Sequence, residues 1–75
     1  MEQLEGVVDD IVFQSEDNMY SVLRVVNKAQ GRFTAVYRGP APYMGENVSL
    51  NGSWVEHARF GRQFEAASLT VVQPT

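Results

Sequence analysis

The sequence predicts an all-β domain, a five-stranded OB-fold-like barrel in which a loop replaces the usual helix. Three observations carry this. Five β-rich runs are separated by turn residues. The first and last runs are long and break their own alternation, as strands do when they bend between two sheet surfaces. No stretch has the period of a helix of useful length. An SH3-like barrel, also five-stranded, is the structural alternative.

The first strand is read over residues 4–13, rich in Val, Ile and Phe. Leu4, Val8 and Val12 share one parity while Val7, Ile11 and Phe13 share the other, and Gly6 suggests a bulge or sharp bend. Residues 14–19 (Gln-Ser-Glu-Asp-Asn-Met) form a turn, because Ser, Asp and Asn bond their own backbone and tolerate left-handed conformations. Residues 20–27 are the second strand, with Leu23 and Val25 on one face and Tyr20, Val22, Arg24 and Val26 on the other. Residues 28–31 close a hairpin in which Gly31 supplies a positive φ. The third strand, 32–38, places Phe33, Ala35 and Tyr37 opposite Arg32, Thr34, Val36 and Arg38.

Pro40 and Pro42 cannot donate to a ladder, so 39–45 is a loop with at most one helical turn. Residues 47–56 resume a strand, with Val48, Leu50 and Trp54 against Ser49, Asn51 and Ser53, and Gly52 marks a further bend. Residues 57–61 turn, and 62–72 form the last strand. There Phe64 and Ala66 share a parity that Leu69 and Val71 do not, which predicts a bulge near Ala67–Ser68. Gln73-Pro74-Thr75 reads as the start of a linker.

The chain has 75 residues, room for one domain. It has no cysteine, which excludes disulfides and thiolate zinc sites and leaves apolar packing to hold the fold. No run has the roughly 18 apolar residues of a membrane span, and the start has neither the basic nor the apolar region of a signal peptide. A cytoplasmic protein with no membrane partner is the expectation. The net charge of −3 argues against a general nucleic-acid coat. The charge is uneven: residues 1–23 carry Glu2, Glu5, Asp9, Asp10, Glu16 and Asp17 with no base, whereas 24–75 carry Arg24, Lys28, Arg32, Arg38, Arg59 and Arg62 against Glu46, Glu56 and Glu65.

No catalytic constellation is present. Lys28, the sole lysine, follows no Gly-x-x-x-x-Gly-Lys-Ser/Thr loop that would cradle phosphates. His57 is the sole histidine, reads as a turn-stabilising residue, and has no nucleophile beside it. Asp9-Asp10 and Glu16-Asp17 lack calcium-loop spacing, so no metal site is expected. The functional signal is arginine interleaved with aromatics, the pattern that holds single strands by backbone charge and base stacking. In an OB fold the binding surface crosses strands two and three between the loops after strands one and four. Arg24, Tyr37, Arg38, Arg59, Phe60 and Arg62 fall in those elements and are the candidate nucleic-acid-binding residues, although Tyr37 shares its parity with the core. The acidic turn at 15–18 counts against strong DNA binding.

Gly6-Val7-Val8, Glu16-Asp17-Asn18-Met19-Tyr20, Gly45-Glu46, Leu50-Asn51-Gly52-Ser53-Trp54-Val55-Glu56-His57 and Phe60-Gly61-Arg62-Gln63-Phe64 together resemble the N-terminal OB domain of bacterial RecD-like (YrrC-type) DNA helicases. The Gly-x-Trp-Val-x-His and aromatic-Gly-x-Gln-Phe blocks are the specific part. The chain departs at Asn18-Met19-Tyr20, where the family often has Asn-Gly-aromatic, and at Tyr37-Arg38-Gly39-Pro40, where it often has a Gly-x-Leu-Pro-like segment. The resemblance implies an N-terminal piece of an ATP-dependent helicase related to the alpha subunit of exodeoxyribonuclease V. Its ATP and magnesium sites would lie in motor domains outside these residues, and no catalysis is expected from this piece. The expected partners are single-stranded DNA, the motor domains of the same parent chain, or a DNA-repair protein.

Overall fold

The computed structural model describes residues 1–59 and 61–72. It contains β1 (Glu2–Gln14), β2 (Ser21–Asn27), β3 (Gly31–Tyr37), β4 (Asn47–His57) and β5 (Gly61–Val72). They close into a barrel in the order β1-β2-β3-β5-β4. Every pairing is antiparallel except β3 with β5, which is parallel. None of the described residues is helical. The expected linker at 73–75 lies outside the described residues.

β1 serves two neighbours. Its first half, Glu2 to Val7, pairs with β4, and from Val7 onward it pairs with β2. Gly6 sits at this hand-over. A Cβ there would lie 2.6 Å from Val25 Cγ1 and 2.7 Å from the Val26 carbonyl oxygen, so a bare backbone is needed for β2 to approach. The bulges fall later than the glycine suggested, at Asp9 and Val12, where the β1–β2 register shifts. They explain the mixed parity. The shift at Asp9 turns Ile11 toward the core opposite Leu23, and the shift at Val12 returns Phe13 to the outer face opposite Val22.

The β5 bulge lies where the parity break predicts it. Asn51 pairs with Ser68 and Gly52 with Ala66, leaving Ala67 unpaired. Gly52 faces the distortion. A Cβ on Gly52 would run into the Glu65 carbonyl oxygen and lie 2.8 Å from Ala66 Cα.

Leu4, Val8, Leu23, Val25, Phe33, Ala35, Val48, Leu50, Phe64 and Ala66 form the core. Trp54 is half-buried at its edge and makes edge-to-face contacts with Phe33 and Phe64 at 5.4 and 5.2 Å between ring centres. The loop at 38–46 takes the place of the usual helix. It is fixed to β1 by the Gly45 N–H donating to the Val8 carbonyl (2.8 Å) and the Val8 N–H donating to the Glu46 carbonyl (2.9 Å). The buried Ser21 hydroxyl donates to the Gly39 carbonyl at 2.6 Å. Gly45 turns the loop at a φ of 88°.

Candidate nucleic-acid interface

Strand alternation sends even-numbered residues of β2 and β3 outward. On the outer surface Phe13, Val22, Val36, Glu65 and Ser53 follow one another across β1, β2, β3, β5 and β4. Asp10, Arg24 and Thr34 form the adjacent row. The tip of the β4–β5 hairpin borders this surface. The result is a groove of about 350 Å³ lined by Val12, Phe13, Tyr20, Val22, Arg24, Thr34, His57 and Gln63. A wider depression shares Tyr20, His57 and Gln63 with it and continues past Val36, Arg38, Glu56 and Glu65.

One wall is built by the turn between β1 and β2. The Ser15 hydroxyl donates to Asp17 Oδ1 (2.7 Å) and accepts the N–H groups of Met19 and Tyr20. Met19 N–H also donates to Asp17 Oδ1 at 3.1 Å. Asn18 occupies the left-handed region at a φ of 59°, which its short polar side chain tolerates. The Ser15 hydroxyl and the backbone N–H of Met19 hold the Asp17 carboxyl below the usual carboxylate range. This turn sets Tyr20 beside Phe13, with ring centres 6.1 Å apart. Phe13 is 52% exposed and Tyr20 39% exposed, so both present ring surface to solvent.

The opposite wall is the β4–β5 hairpin. His57 Nδ1 accepts the Arg59 backbone N–H at 3.1 Å, and Gly61 turns the chain at a φ of 78°. His57 thus braces its turn, and it also borders the groove.

The structure divides the six candidate residues. Arg24 and Arg38 are exposed and line the groove and its continuation. Neither has a carboxylate within ion-pair distance among the described residues. Arg59 is exposed in the hairpin turn. Tyr37 has inward parity, is half-buried and packs against the core. Arg62 shares the parity of Phe64, so its guanidinium lies 4.1 Å above the Trp54 ring, away from the groove. Phe60 lies outside the described residues. Arg32 is paired with Asp9 at 2.8 Å.

Sequence reasoning passed over Phe13, Tyr20 and His57 as groove residues. Tyr20 carried a signal, since it shares its parity with Arg24 rather than with Leu23. Phe13 carried a divided one: its parity opposes that of Leu4 and Val8 but matches that of Ile11, which the bulge at Asp9 turns inward. Among the described residues no group of three His, Cys, Asp or Glu side chains could hold a metal ion. Among the described residues no helix is long and apolar enough to cross a membrane.

A closed five-stranded barrel in this order, with a groove over β2 and β3 between the β1–β2 and β4–β5 turns, has the architecture of an OB-fold domain. The chain matches, over residues 1–74, the family described as the OB-fold domain of the ATP-dependent DNA helicase YrrC, and it belongs to that family. Comparison with individual curated proteins gives no match, nor does comparison with solved structures.

Proposed function

We propose that this domain is an accessory module of a RecD-like ATP-dependent DNA helicase that binds single-stranded nucleic acid weakly at the groove over β2 and β3. The observation that carries the reading is the exposed Phe13–Tyr20 pair beside Arg24, a cation without a carboxylate partner among the described residues. Bases stack on the two rings, a sequence-tolerant interaction worth about 1–3 kcal/mol per base. Arg24 meets a phosphate, and Arg38 and Arg59 lie at the periphery. Tyr37 and Arg62 act on the barrel rather than on the ligand. The sequence has no phosphate-cradling loop, so ATP and magnesium chemistry is assigned to the parent's motor and none to these residues.

An amide-shift NMR titration with a short single-stranded DNA, at low and then moderate salt, tests this. Shifts should cluster at Phe13, Tyr20, Arg24 and the β4–β5 tip, weaken modestly as salt rises, and shrink in Arg24→Glu. Absence of localised shifts at low salt refutes it.

A second reading is docking on the helicase motor or a repair protein without DNA contact. It is favoured by an apolar outer row: Val72 pairs with Asn47, Asn47 with Val7, and Val7 with Val26. These valines are 38–40% exposed and line none of the groove. Mixing the domain with the separately produced motor portion should then shift amides in this row.

A further inference from the structure

The groove and its continuation differ in charge. The groove's lining includes two exposed aromatics, Val12, Val22 and one arginine, Arg24, and no carboxylate; Asp10 stands opposite Arg24 on the bordering row without forming an ion pair with it. The continuation sets one arginine, Arg38, beside two exposed carboxylates, Glu56 and Glu65. Glu65 stands on the register row of Val22 and Val36, directly across β3 from the groove floor. A polyanion crossing from Phe13 toward Ser53 must therefore pass Glu65. OB folds that track a backbone over about 4–16 nucleotides do so along a positively charged surface, and here that track stops at β3.

We propose that the groove takes only about two or three nucleotides, held by stacking on Phe13 and Tyr20 and a single phosphate contact at Arg24, and that Glu56 and Glu65 turn the rest of the strand away. This rests on the nucleic-acid reading of the groove and names its ligand, a strand end or a short unpaired segment. A single contact also explains how a domain of net charge −3 can bind nucleic acid: stacking carries the affinity, and electrostatics carries little of it. Opposition from the two carboxylates is a specificity device, because it costs a long continuous strand its additional contacts and leaves a short one unaffected.

The test uses the 75-residue chain, with oligothymidylates of about 3 nucleotides, the proposed footprint, and about 12, within the range of ordinary site sizes. Affinity is followed by amide shifts over a salt series. Each single-strand phosphate contact contributes about −0.7 to the slope of log K against log salt. The expected slope is about −0.7 for both oligomers, with the longer one gaining only the statistical factor for its number of registers. In Glu56→Gln/Glu65→Gln the longer oligomer should bind several-fold tighter with a slope near about −1.4, as Arg38 gains a phosphate, while the shorter is unchanged. Both positions are exposed, and an unaltered amide spectrum of the core confirms the fold. A wild-type slope of about −2.8 would mean four phosphate contacts, and would overturn the short footprint while leaving nucleic-acid binding intact. The short footprint is equally overturned if the double variant binds the longer oligomer no better. If neither oligomer binds at low salt, the nucleic-acid reading fails and this proposal with it.

Discussion

Gly52→Ala should damage this barrel far more than its single methyl group suggests. Gly52 is buried on β4 opposite Ala66, next to the extra residue Ala67 of the β5 bulge. The new Cβ would meet the Glu65 carbonyl oxygen and Ala66 Cα, which are backbone atoms that no rotamer change can move. Relief requires β4 and β5 to part, at the pairing that holds the longest hairpin together. Overpacking of a well-packed site costs typically 1–3 kcal/mol, and a backbone clash belongs at the upper end, about 3 kcal/mol. At 0.05–0.15 kcal/mol per residue a 75-residue domain has roughly 4–11 kcal/mol in total. At about 4–8 °C per kcal/mol, the melting temperature should fall by about 12–24 °C. Gly31→Ala is the matched control. Gly31 has a φ of 70° and open space where its Cβ would go, so it carries only the left-handed cost of about 1–2 kcal/mol. Urea unfolding followed by Trp54 fluorescence reads both. If Gly52→Ala were as mild as Gly31→Ala, the bulge would be free to slide, and the β4–β5 register would not depend on a bare backbone at Gly52.

Phe64 is fully buried between Phe33 and Trp54, so Phe64→Ala should cost about 3–5 kcal/mol in the same assay. Ser21→Ala removes the donor to the Gly39 carbonyl and leaves that acceptor without its partner; the expected loss is about 1–3 kcal/mol, with faster amide exchange in the loop at 38–46. Asp17 has a folded-state carboxyl held below its ordinary value of 3.8, so its contribution to the β1–β2 turn is present above that value and is lost as pH falls through the lower folded one. Amide shifts of Met19 and Tyr20 should therefore titrate in acid below pH 3.8, and Asp17→Asn should abolish the titration.

Strand positions were legible because each strand buries one face, and alternation records which. The bulge at Ala67 was legible for the same reason, since Phe64 and Ala66 cannot share a face with Leu69 and Val71 in an unbroken ladder. Parity also placed Tyr37 with the core. What alternation could not show was the pair of bulges at Asp9 and Val12. Each depends on how β1 curls from β4 to β2, which is a property of the closed barrel and not of a run of consecutive residues. Phe13 therefore read as one more apolar strand residue. The division of the arginines was hidden similarly. Arg62 sits two residues before Phe64 and shares its parity, but only the position of Trp54 on the neighbouring strand turns it into a stacking partner. Along the chain all six arginines and lysines fall in residues 24–75, against three acids. Folding brings Glu56 and Glu65 into the same depression as Arg38, and that cancellation depends on tertiary pairing.

The parallel seam between β3 and β5 runs only from Ala35–Phe64 to Tyr37–Ala66, the shortest run of pairing that closes the cylinder. Such a join is where a barrel breathes, and its amides should exchange with solvent through local opening well before the whole chain unfolds. The Phe33–Trp54–Phe64 rings lie across the inside of this seam like a clasp. The outer surface that carries the groove and its continuation extends across the same join, from Thr34 and Val36 to Gln63 and Glu65. A ligand that touches Thr34 and Gln63 from outside would act as a second clasp, so that occupancy of the groove is registered as slower exchange of the seam amides between Ala35 and Tyr37.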